Sequence, residues 1–306
     1  MLYYKTPGII LKSEPYQESD RIYTIYTEKY GKMRAMAKGV RKIKSKLAGH
    51  LEPFNLVNLM IVKGRALDKI INAVNINSFP EIKKDLEKIA SGSYILEVVD
   101  VLTKEHHRDE RIFELLREAL KNLEGFGEFP RKSVFADNRS GFTRITTRMN
   151  AELISSFVLC FLSFLGYKPE LYQCVHCKSR RSRTTGLKPK SQYYFSPKLG
   201  GLLCSQCKKF DQESLMVSEE GIEILRKILL DRPVRTPAWS EVRTPAWSEV
   251  GTFSSTRVSP TRSPEVSSPR GAGMPMEIKK IIDSFLKYRL EKELKTEKFL
   301  INLIPN

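Results

Sequence analysis

Two pairs of cysteines constrain this chain more than any other feature. Cys174 and Cys177 form one C-x2-C motif, and Cys204 and Cys207 form a second after 26 intervening residues. Each motif directs two thiolates towards one point, and two such motifs make the tetrahedral four-sulfur site that Zn2+ prefers. Because four thiolates leave no position open for water, we expect one structural zinc ion per chain. A redox or disulfide pair is the alternative, and the paired spacing argues against it.

The sequence around these cysteines is strongly basic. Ten Lys or Arg and a single acid, Glu170, lie between Lys168 and Lys209. Part of this excess balances the site itself, since Zn2+ with four thiolates is net negative. The remainder predicts contact with a polyanion. The candidate contact residues in this segment are Arg180, Arg181 and Arg183.

Composition narrows the class of partner. The 306 residues include 52 Lys and Arg against 35 Asp and Glu, a net charge of +17. This favours nucleic acid, with an anionic membrane surface as the lesser alternative. No signal peptide is evident, and the longest apolar run, 153–165, contains three serines and is too short to span a bilayer. Paired metal-type cysteines without a signal fit a reducing cytoplasm, and we expect no membrane partner.

Residues 1–79 carry the pattern of a small β-barrel. Five short runs of β-forming residues are separated by turn signals such as Pro7-Gly8 and Lys63-Gly64. Five strands in so short a segment fit the OB-fold, although the pattern alone also allows an SH3-like barrel.

The segment predicted to form the barrel contains a run of basic residues. Residues 29–46 hold eight Lys or Arg and no acid. In barrels that bind single strands, cations track phosphates and aromatic faces stack bases. A solubilising surface is the alternative for the cations. Tyr23, Tyr26 and Tyr30 lie close by, and for Tyr23 we favour a place in the barrel core. The candidate phosphate contacts on the barrel are Lys32, Arg34, Lys38, Arg41, Lys42, Lys44 and Lys46.

The rest of the chain is mainly helical, so the predicted fold class is α+β. Apolar residues recur at helical spacing over 80–125 and 150–165, in a helix that Ser218 can cap, and over 277–298. We expect an OB-fold barrel at 1–79, a helical domain at 80–167 with an irregular stretch at 126–148, an inserted four-cysteine zinc module at 168–212, further helical sequence at 213–231, a disordered linker at 232–275 and a C-terminal helix at 276–306.

The predicted linker contains a perfect tandem repeat. The octapeptide 235–242 recurs unchanged at 243–250, and the two copies hold both tryptophans of the chain. Two copies are too few for a solenoid. A linker made by local duplication is the simpler interpretation. A bivalent partner motif anchored by Trp239 and Trp247 is the alternative.

Segments of the barrel and of the cysteine module resemble the bacterial recombination mediator RecO. The barrel segments are Gly8-Ile9-Ile10-Leu11, Tyr16-Gln17-Glu18-Ser19-Asp20, Tyr30-Gly31-Lys32, Ala37-Lys38-Gly39-Val40-Arg41-Lys42 with Lys44 and Lys46, and Leu51-Glu52-Pro53-Phe54. The module segments are Leu165-Gly166-Tyr167, the two C-x2-C motifs, Phe195-Ser196, Gly200-Gly201 and Leu203. The resemblance covers about residues 1–125, 150–230 and, more weakly, 277–300.

The resemblance to the RecO family implies an OB-fold, a helical domain and a zinc module. It implies binding to single- and double-stranded DNA and annealing of complementary strands. It also implies help, together with RecR, in loading RecA onto SSB-coated DNA, with the SSB C-terminal tail held between helices. The stretches 126–148 and 232–275 depart from the compact pattern of the family.

Other classes remain open from the residues alone. A zinc-ribbon module that binds RNA in translation or transcription fits equally well, and recognition of the 2′-OH would identify it. A zinc deaminase needs an open metal position and a general-acid Glu near a His or Cys ligand, and His176 has no such partner motif. Neither a G-x4-G-K-[ST] phosphate loop nor a G-x-S-x-G elbow occurs, so we expect no enzymatic activity.

Overall fold

A computed structural model describes residues 3–125, 139–179, 192–230, 276–290 and 293–296. These residues form a β-barrel, a group of α-helices and a small three-stranded sheet, which confirms the α+β class. Within these ranges, none of the helices combines the length and apolarity that a bilayer span requires. The predicted linker with its tandem repeat lies outside the described residues.

The N-terminal strands close into a barrel. Strands β3 and β5 run parallel, β4 returns to pair with β1, and the order around the barrel is β1-β2-β3-β5-β4. This is the order of an OB-fold, so that prediction is confirmed and the SH3-like alternative is wrong. Ile10, Ile25 and Leu59 are among the side chains that fill the interior. The strands are β1 (Tyr3–Tyr16), β2 (Asp20–Thr27), β3 (Gly31–Ala37), β4 (Leu56–Val62) and β5 (Asp68–Asn77).

The described residues include six α-helices, which follow the barrel and pack mainly against one another. Side chains cap several of these helices by accepting free backbone N–H groups, among them Asp109, which accepts the N–H of Arg111 at the start of α3. Asp85 accepts the N–H of Glu87 at 2.8 Å, and Ser218 Oγ accepts that of Gly221 at 2.9 Å, as predicted for Ser218. The helices are α1 (Pro80–Lys84), α2 (Leu86–Leu102), α3 (Glu110–Gly125), α4 (Arg139–Phe164), α5 (Glu219–Leu230) and α6 (Met276–Arg289).

Two helix boundaries differ from the sequence prediction. Helix α4 begins at Arg139, inside the stretch predicted to be irregular. Helix α6 ends at Arg289, well before the predicted end at residue 298. Leu294 was assigned to this helix by its spacing, and it is 2% exposed. It reaches the core from the separate segment 293–296, in which the backbone N–H of Thr296 donates to the Glu97 carboxylate at 2.8 Å.

The cysteine module shares its core with the helices. Its sheet has the order β7-β6-β8, formed by β6 (Tyr193–Ser196), β7 (Gly201–Cys204) and β8 (Leu215–Val217). Phe195 of β6 packs edge-to-face against Phe285 of α6, with ring centroids 5.5 Å apart. Leu202 and Val217 belong to the same buried cluster as the helices. The module is therefore held in place even apart from its cysteines.

The turn before β3 joins the barrel to the helical part. Gly31 has a φ of +66°, and a Cβ there would lie 2.2 Å from the carbonyl oxygen of His107. Only glycine fits so close an approach. Beside it, the N–H of His106 donates to the carbonyl oxygen of Lys32 at 2.8 Å. The Tyr30-Gly31-Lys32 motif therefore fixes the barrel against the loop between α2 and α3.

Candidate nucleic-acid interface and metal centre

Residues 38–46, here called the basic loop, follow β3 and are firmly anchored. Val40, inside the loop, and Leu51, just beyond it, pack into the barrel core and are 4% and 2% exposed. The carboxylate of Asp20 accepts the N–H of Gly39 at 2.7 Å. The carbonyl oxygen of Ser19 accepts the N–H of Arg41 at 3.0 Å. The β1–β2 hairpin thus holds the start of the loop, which gives the Tyr16–Asp20 motif a structural role.

The outer side of the basic loop is cationic. Five of the predicted phosphate contacts are exposed there, and none has an ion-pair partner among the residues that the structure describes. Ile43 stands between them and is itself fully exposed. Such a surface suits a ligand that carries both anionic groups, which the cations can contact, and apolar groups, which Ile43 can contact. The five cations are Lys38, Arg41, Lys42, Lys44 and Lys46.

Lys32 does not lie on this surface, contrary to the sequence prediction. It is 8% exposed, and its Nζ donates to the carbonyl oxygen of Asp100 at 2.5 Å. The carboxylate of Asp100 is also within 3.5 Å. A buried amine is stable only when it is paired and hydrogen-bonded, so moving to a phosphate would lose these contacts. Arg34 is exposed and lies 3.8 Å from Glu14, a weak surface pair that leaves it available.

Of the three tyrosines near the basic run, two are buried and one is exposed. Tyr23 and Tyr26 are 2% and 0% exposed, so they fill the core, as favoured for Tyr23. The hydroxyl of Tyr26 donates to the carbonyl oxygen of Asp109 at 3.2 Å, and burial raises its pKa above the usual range. Tyr30 is exposed and packs edge-to-face on Tyr4, with centroids 4.7 Å apart. Of the three, Tyr30 has a ring that a base could reach.

The four cysteines of the two motifs come together as the sequence predicts. Their sulfur atoms all lie within 4.8 Å of one another, and those of Cys177 and Cys204 are 3.8 Å apart. A tetrahedral site with metal–sulfur bonds of ~2.3 Å separates its sulfurs by about 3.8 Å. Cys174 and Cys207 are buried, whereas Cys177 faces solvent. The cluster can therefore hold a metal ion.

Backbone hydrogen bonds shape the first cysteine turn. The N–H of Lys178 donates to the carbonyl oxygen of Cys174 at 3.0 Å. The N–H of Cys174 in turn donates to the carbonyl oxygen of Ser179 at 3.0 Å. The N–H of Val175 donates to the carbonyl oxygen of Leu202 at 2.8 Å. This last bond ties the turn to β7, which ends at the second cysteine motif. These backbone hydrogen bonds thus bring the two cysteine motifs together.

The thiols of the cluster differ in how readily they ionise. Burial raises the pKa of the Cys207 thiol to about 12, and hydrogen bonds from the other cysteines act in the same direction. Hydrogen bonds from the side chain and the backbone of Ser179 lower the pKa of the Cys177 thiol to about 6. Four neighbouring thiolates repel one another, and a divalent cation compensates that charge. The donor set therefore fits a cation that binds sulfur.

The sequence did not reveal an exposed aromatic pair beside this cluster. The His176 ring stacks on that of Phe210, with centroids 3.7 Å apart and planes inclined by 16°. The sequence pattern marks His176 only as a possible deaminase ligand without a partner motif, and it does not mark Phe210. The available signal was Lys208-Lys209-Phe210, two cations and an aromatic directly after the second motif. The predicted contacts Arg180, Arg181 and Arg183 lie outside the described residues.

Comparison with known protein families identifies the family of this chain. A family model described as recombination protein O N terminal matches residues 1–79, and one described as recombination protein O C terminal matches 83–135 and 142–256. The chain belongs to the RecO family. The first match spans the barrel with its basic loop, and the second spans helices α2 to α5 and all four cysteines of the cluster.

Individual RecO proteins support this assignment. The DNA repair protein RecO of Dehalococcoides mccartyi is 33% identical over 226 residues, which cover 74% of this chain and 78% of that protein. RecO of Pelotomaculum thermopropionicum is 30% identical over 230 residues, 75% of this chain and 78% of that protein. RecO of Desulforamulus reducens is 27% identical over 304 residues, 99% of this chain and 96% of that protein. The resemblance noted in the sequence is confirmed, and the chain is a RecO family DNA repair protein.

Proposed function

We propose that this RecO family member binds single- and double-stranded DNA, anneals complementary strands and, with RecR, helps to load RecA onto SSB-coated DNA. Its effect on RecA would be indirect. The observation that carries the proposal is the anchored basic loop, with five exposed cations free of ion pairs within the described part of the chain. Exposed cations on an OB-fold can track a phosphate backbone, and Ile43 offers apolar surface to unpaired bases.

Annealing needs charge and no catalytic residue, and we infer that the protein is not an enzyme. Two DNA strands repel each other through their phosphates. A positive surface lowers that repulsion and raises the local concentration of strands. The net charge of +17 supplies the long-range attraction, and the basic loop supplies the contact. The proposal places the protein in the cytoplasm, at the nucleoid, where single-stranded gaps and their SSB coat arise.

We propose Zn2+ as the ion of the cysteine cluster. Thiolate is a soft ligand, and a tetrahedral set of four sulfurs selects zinc among divalent cations, with an iron–sulfur centre as the other common occupant. When bound, zinc supplies a cross-link between the two cysteine turns. The residues themselves fill the four coordination positions, so the site has no place for a reacting water. The role proposed for the ion is structural.

Strand annealing tests the main proposal. Two complementary labelled oligonucleotides are mixed with the protein, first bare and then coated with the cognate SSB, without nucleotide. We expect acceleration in both conditions. Acceleration on bare strands alone would contradict the step on SSB-coated DNA. Tight, salt-sensitive binding without annealing would contradict the mediator role, and preferential competition by RNA would then favour an RNA-binding module.

Replacing Asp20 with Ala should weaken single-strand binding although it makes the protein more positive. The substitution removes the acceptor that holds Gly39, so the basic loop must be ordered on binding. The loss of such a charge-assisted hydrogen bond is worth about 1.5 kcal/mol, or roughly tenfold in affinity. Fluorescence anisotropy with a labelled oligonucleotide measures the change. Charge alone predicts the opposite sign.

Two further variants distinguish the effect of positioning the basic loop from the effect of removing a negative charge. Asp20→Asn keeps an oxygen acceptor for Gly39 and should bind more tightly than Asp20→Ala. Glu18→Ala removes an exposed acid from the same hairpin and should leave affinity unchanged or slightly higher. If Asp20→Ala binds as tightly as Glu18→Ala, the hairpin does not position the loop.

A further inference from the structure

The stacked pair of His176 and Phe210 forms an exposed patch on the cysteine module. His176 belongs to the first cysteine turn, and Phe210 ends the 3-10 turn that follows the second motif. Both are exposed, and Phe210 keeps 49% of its surface accessible. The patch therefore bridges the two turns and presents an aromatic surface to solvent.

The surroundings of this aromatic patch are cationic. Lys178 follows the first motif and is exposed, as are Lys208 and Lys209 after the second. The Nζ of Lys208 lies 4.4 Å from the Tyr194 ring centroid, and that of Lys209 lies 5.5 Å from the Phe210 ring centroid. The Tyr194 ring is buried, whereas Phe210 is exposed. A cation beside an exposed ring suits a single-stranded nucleic acid, because each nucleotide offers a phosphate and a flat base.

The neighbouring acid does not cancel this charge at the surface. Asp211 follows Phe210 directly, but its carboxylate is turned inward and accepts the hydroxyl of Ser196 at 2.5 Å and the N–H of Glu213 at 3.1 Å. Asp211 is 8% exposed. It stabilises the turn that carries Phe210 without facing the ligand side.

A purely structural role does not explain the exposure. The Nδ1 of His176 lies 3.6 Å from the sulfur of Cys207, so its ring partly covers the cysteine cluster. A residue that only covered the cluster would be buried between its neighbours. Phe210 instead stacks on His176 and leaves 49% of its surface to solvent, so the pair presents an aromatic face that a ligand can reach.

We propose that this patch binds single-stranded DNA by stacking its bases. In this assignment Phe210 and His176 contact bases, and Lys178, Lys208 and Lys209 contact phosphates. The inference rests on the proposed function and deepens it, since it adds a second contact outside the barrel. A chain with two separate surfaces for single strands can hold both partners of an annealing reaction.

A tryptophan at position 210 reports on stacking directly. The probe is Phe210→Trp in a chain whose two native tryptophans, Trp239 and Trp247, are replaced by Phe. We expect an oligothymidylate to quench the emission of this probe. An abasic oligonucleotide of the same length carries the same phosphates without bases, and it should leave the emission unchanged. Equal quenching by both, or by neither, would overturn the proposal.

Affinity gives an independent measurement. Phe210→Ala should weaken oligothymidylate binding by about tenfold and leave binding of the abasic oligonucleotide unchanged. The matched control is Leu199→Ala, an exposed apolar residue in the turn at the other end of the β6–β7 hairpin, which should bind as the native protein does. If Phe210→Ala loses its metal, Phe210→Leu decides the question, since it keeps an apolar cover without an aromatic face.

The outcomes separate this inference from the proposed function. If the native protein binds and anneals single strands while Phe210→Ala and Phe210→Leu do so equally well, the patch is not a DNA contact and the proposed function stands. If the native protein binds no single-stranded DNA, both fail. Loss of affinity for oligothymidylate in both variants, together with base-dependent quenching, supports the patch.

Discussion

Replacing four cations of the basic loop with alanine is expected to weaken single-strand binding about a hundredfold at 0.15 M salt. The variant carries Lys38→Ala, Arg41→Ala, Lys42→Ala and Lys44→Ala. Each lost phosphate contact lowers the log–log salt slope by about 0.7 on single strands, so four lower it by about 2.8. Because counterion release loses its force as salt increases, the two proteins should converge towards 1 M salt. Anisotropy titrations over a salt series measure both quantities.

The structure makes this variant a clean test. The contacts that anchor the loop, namely Val40 and Leu51 in the core and the bond from Gly39 to Asp20, are all retained. A control with the same loss of charge removes four exposed lysines from helices and their connections. An unchanged slope in the loop variant, or an equal change in the control, would remove the basic loop from the DNA interface. The control substitutions are Lys104→Ala, Lys227→Ala, Lys280→Ala and Lys287→Ala.

Local patterns were sufficient to predict the barrel and the cysteine cluster. Each β-strand has its own alternation and its own turn signals, and five such strands within residues 1–79 predicted a small barrel, either an OB-fold or an SH3-like barrel. A C-x2-C motif likewise directs two sulfurs by its short spacing alone. The choice of strand order needed the structure, because the parallel pairing of β3 with β5 joins Ala35 to Asp68 across the chain.

Errors arose where a residue depends on a distant partner. Lys32 reads as one more cation of a basic run, yet its partner Asp100 is 68 residues away on α2. No pattern in residues 29–46 marks it as different. Leu294 fits the spacing of α6 in the same misleading way, although the chain has already left the helix. Spacing identifies an apolar residue that is buried, but several chain paths can bring it there.

The start of α4 was missed for a different reason. Residues 139–148 contain Gly141 and three threonines, which are weak helix formers. They lack the apolar period that marks residues 150–164. In the structure this stretch continues a helix whose later turns are well packed, with Phe157 and Phe161 stacked at 5.7 Å. A helix that is already nucleated extends at low cost through weak formers.

Replacing Cys204 with Ser is expected to release the metal and to cause the largest loss of stability. Few buried residues support the two cysteine turns, since their own cluster consists of Cys174, Cys207, Tyr194 and Leu203. In such modules the free energy of metal binding is folding free energy, about 10 kcal/mol or more for zinc modules. We expect a metal content well below one per chain, a lower melting temperature and rapid proteolysis within the turns. Metal analysis and a thermal melt measure the effect.

The position of Cys204 makes the result easy to interpret. Cys204 is partly exposed, so a serine hydroxyl there buries no unsatisfied polar group, and a loss of stability reports on the metal. Cys160→Ala is the matched control, because Cys160 is a buried thiol outside the cluster, 4% exposed in the helical core. The control should keep its metal and lose packing energy together with the weak hydrogen bond from the Cys160 thiol to the carbonyl oxygen of Ile228. The sheet of the module should survive in both variants, since Phe195 and Leu202 belong to the helical core. Single-strand binding through the basic loop should therefore persist in Cys204→Ser. Full metal content and an unchanged melting temperature in that variant would contradict a structural metal.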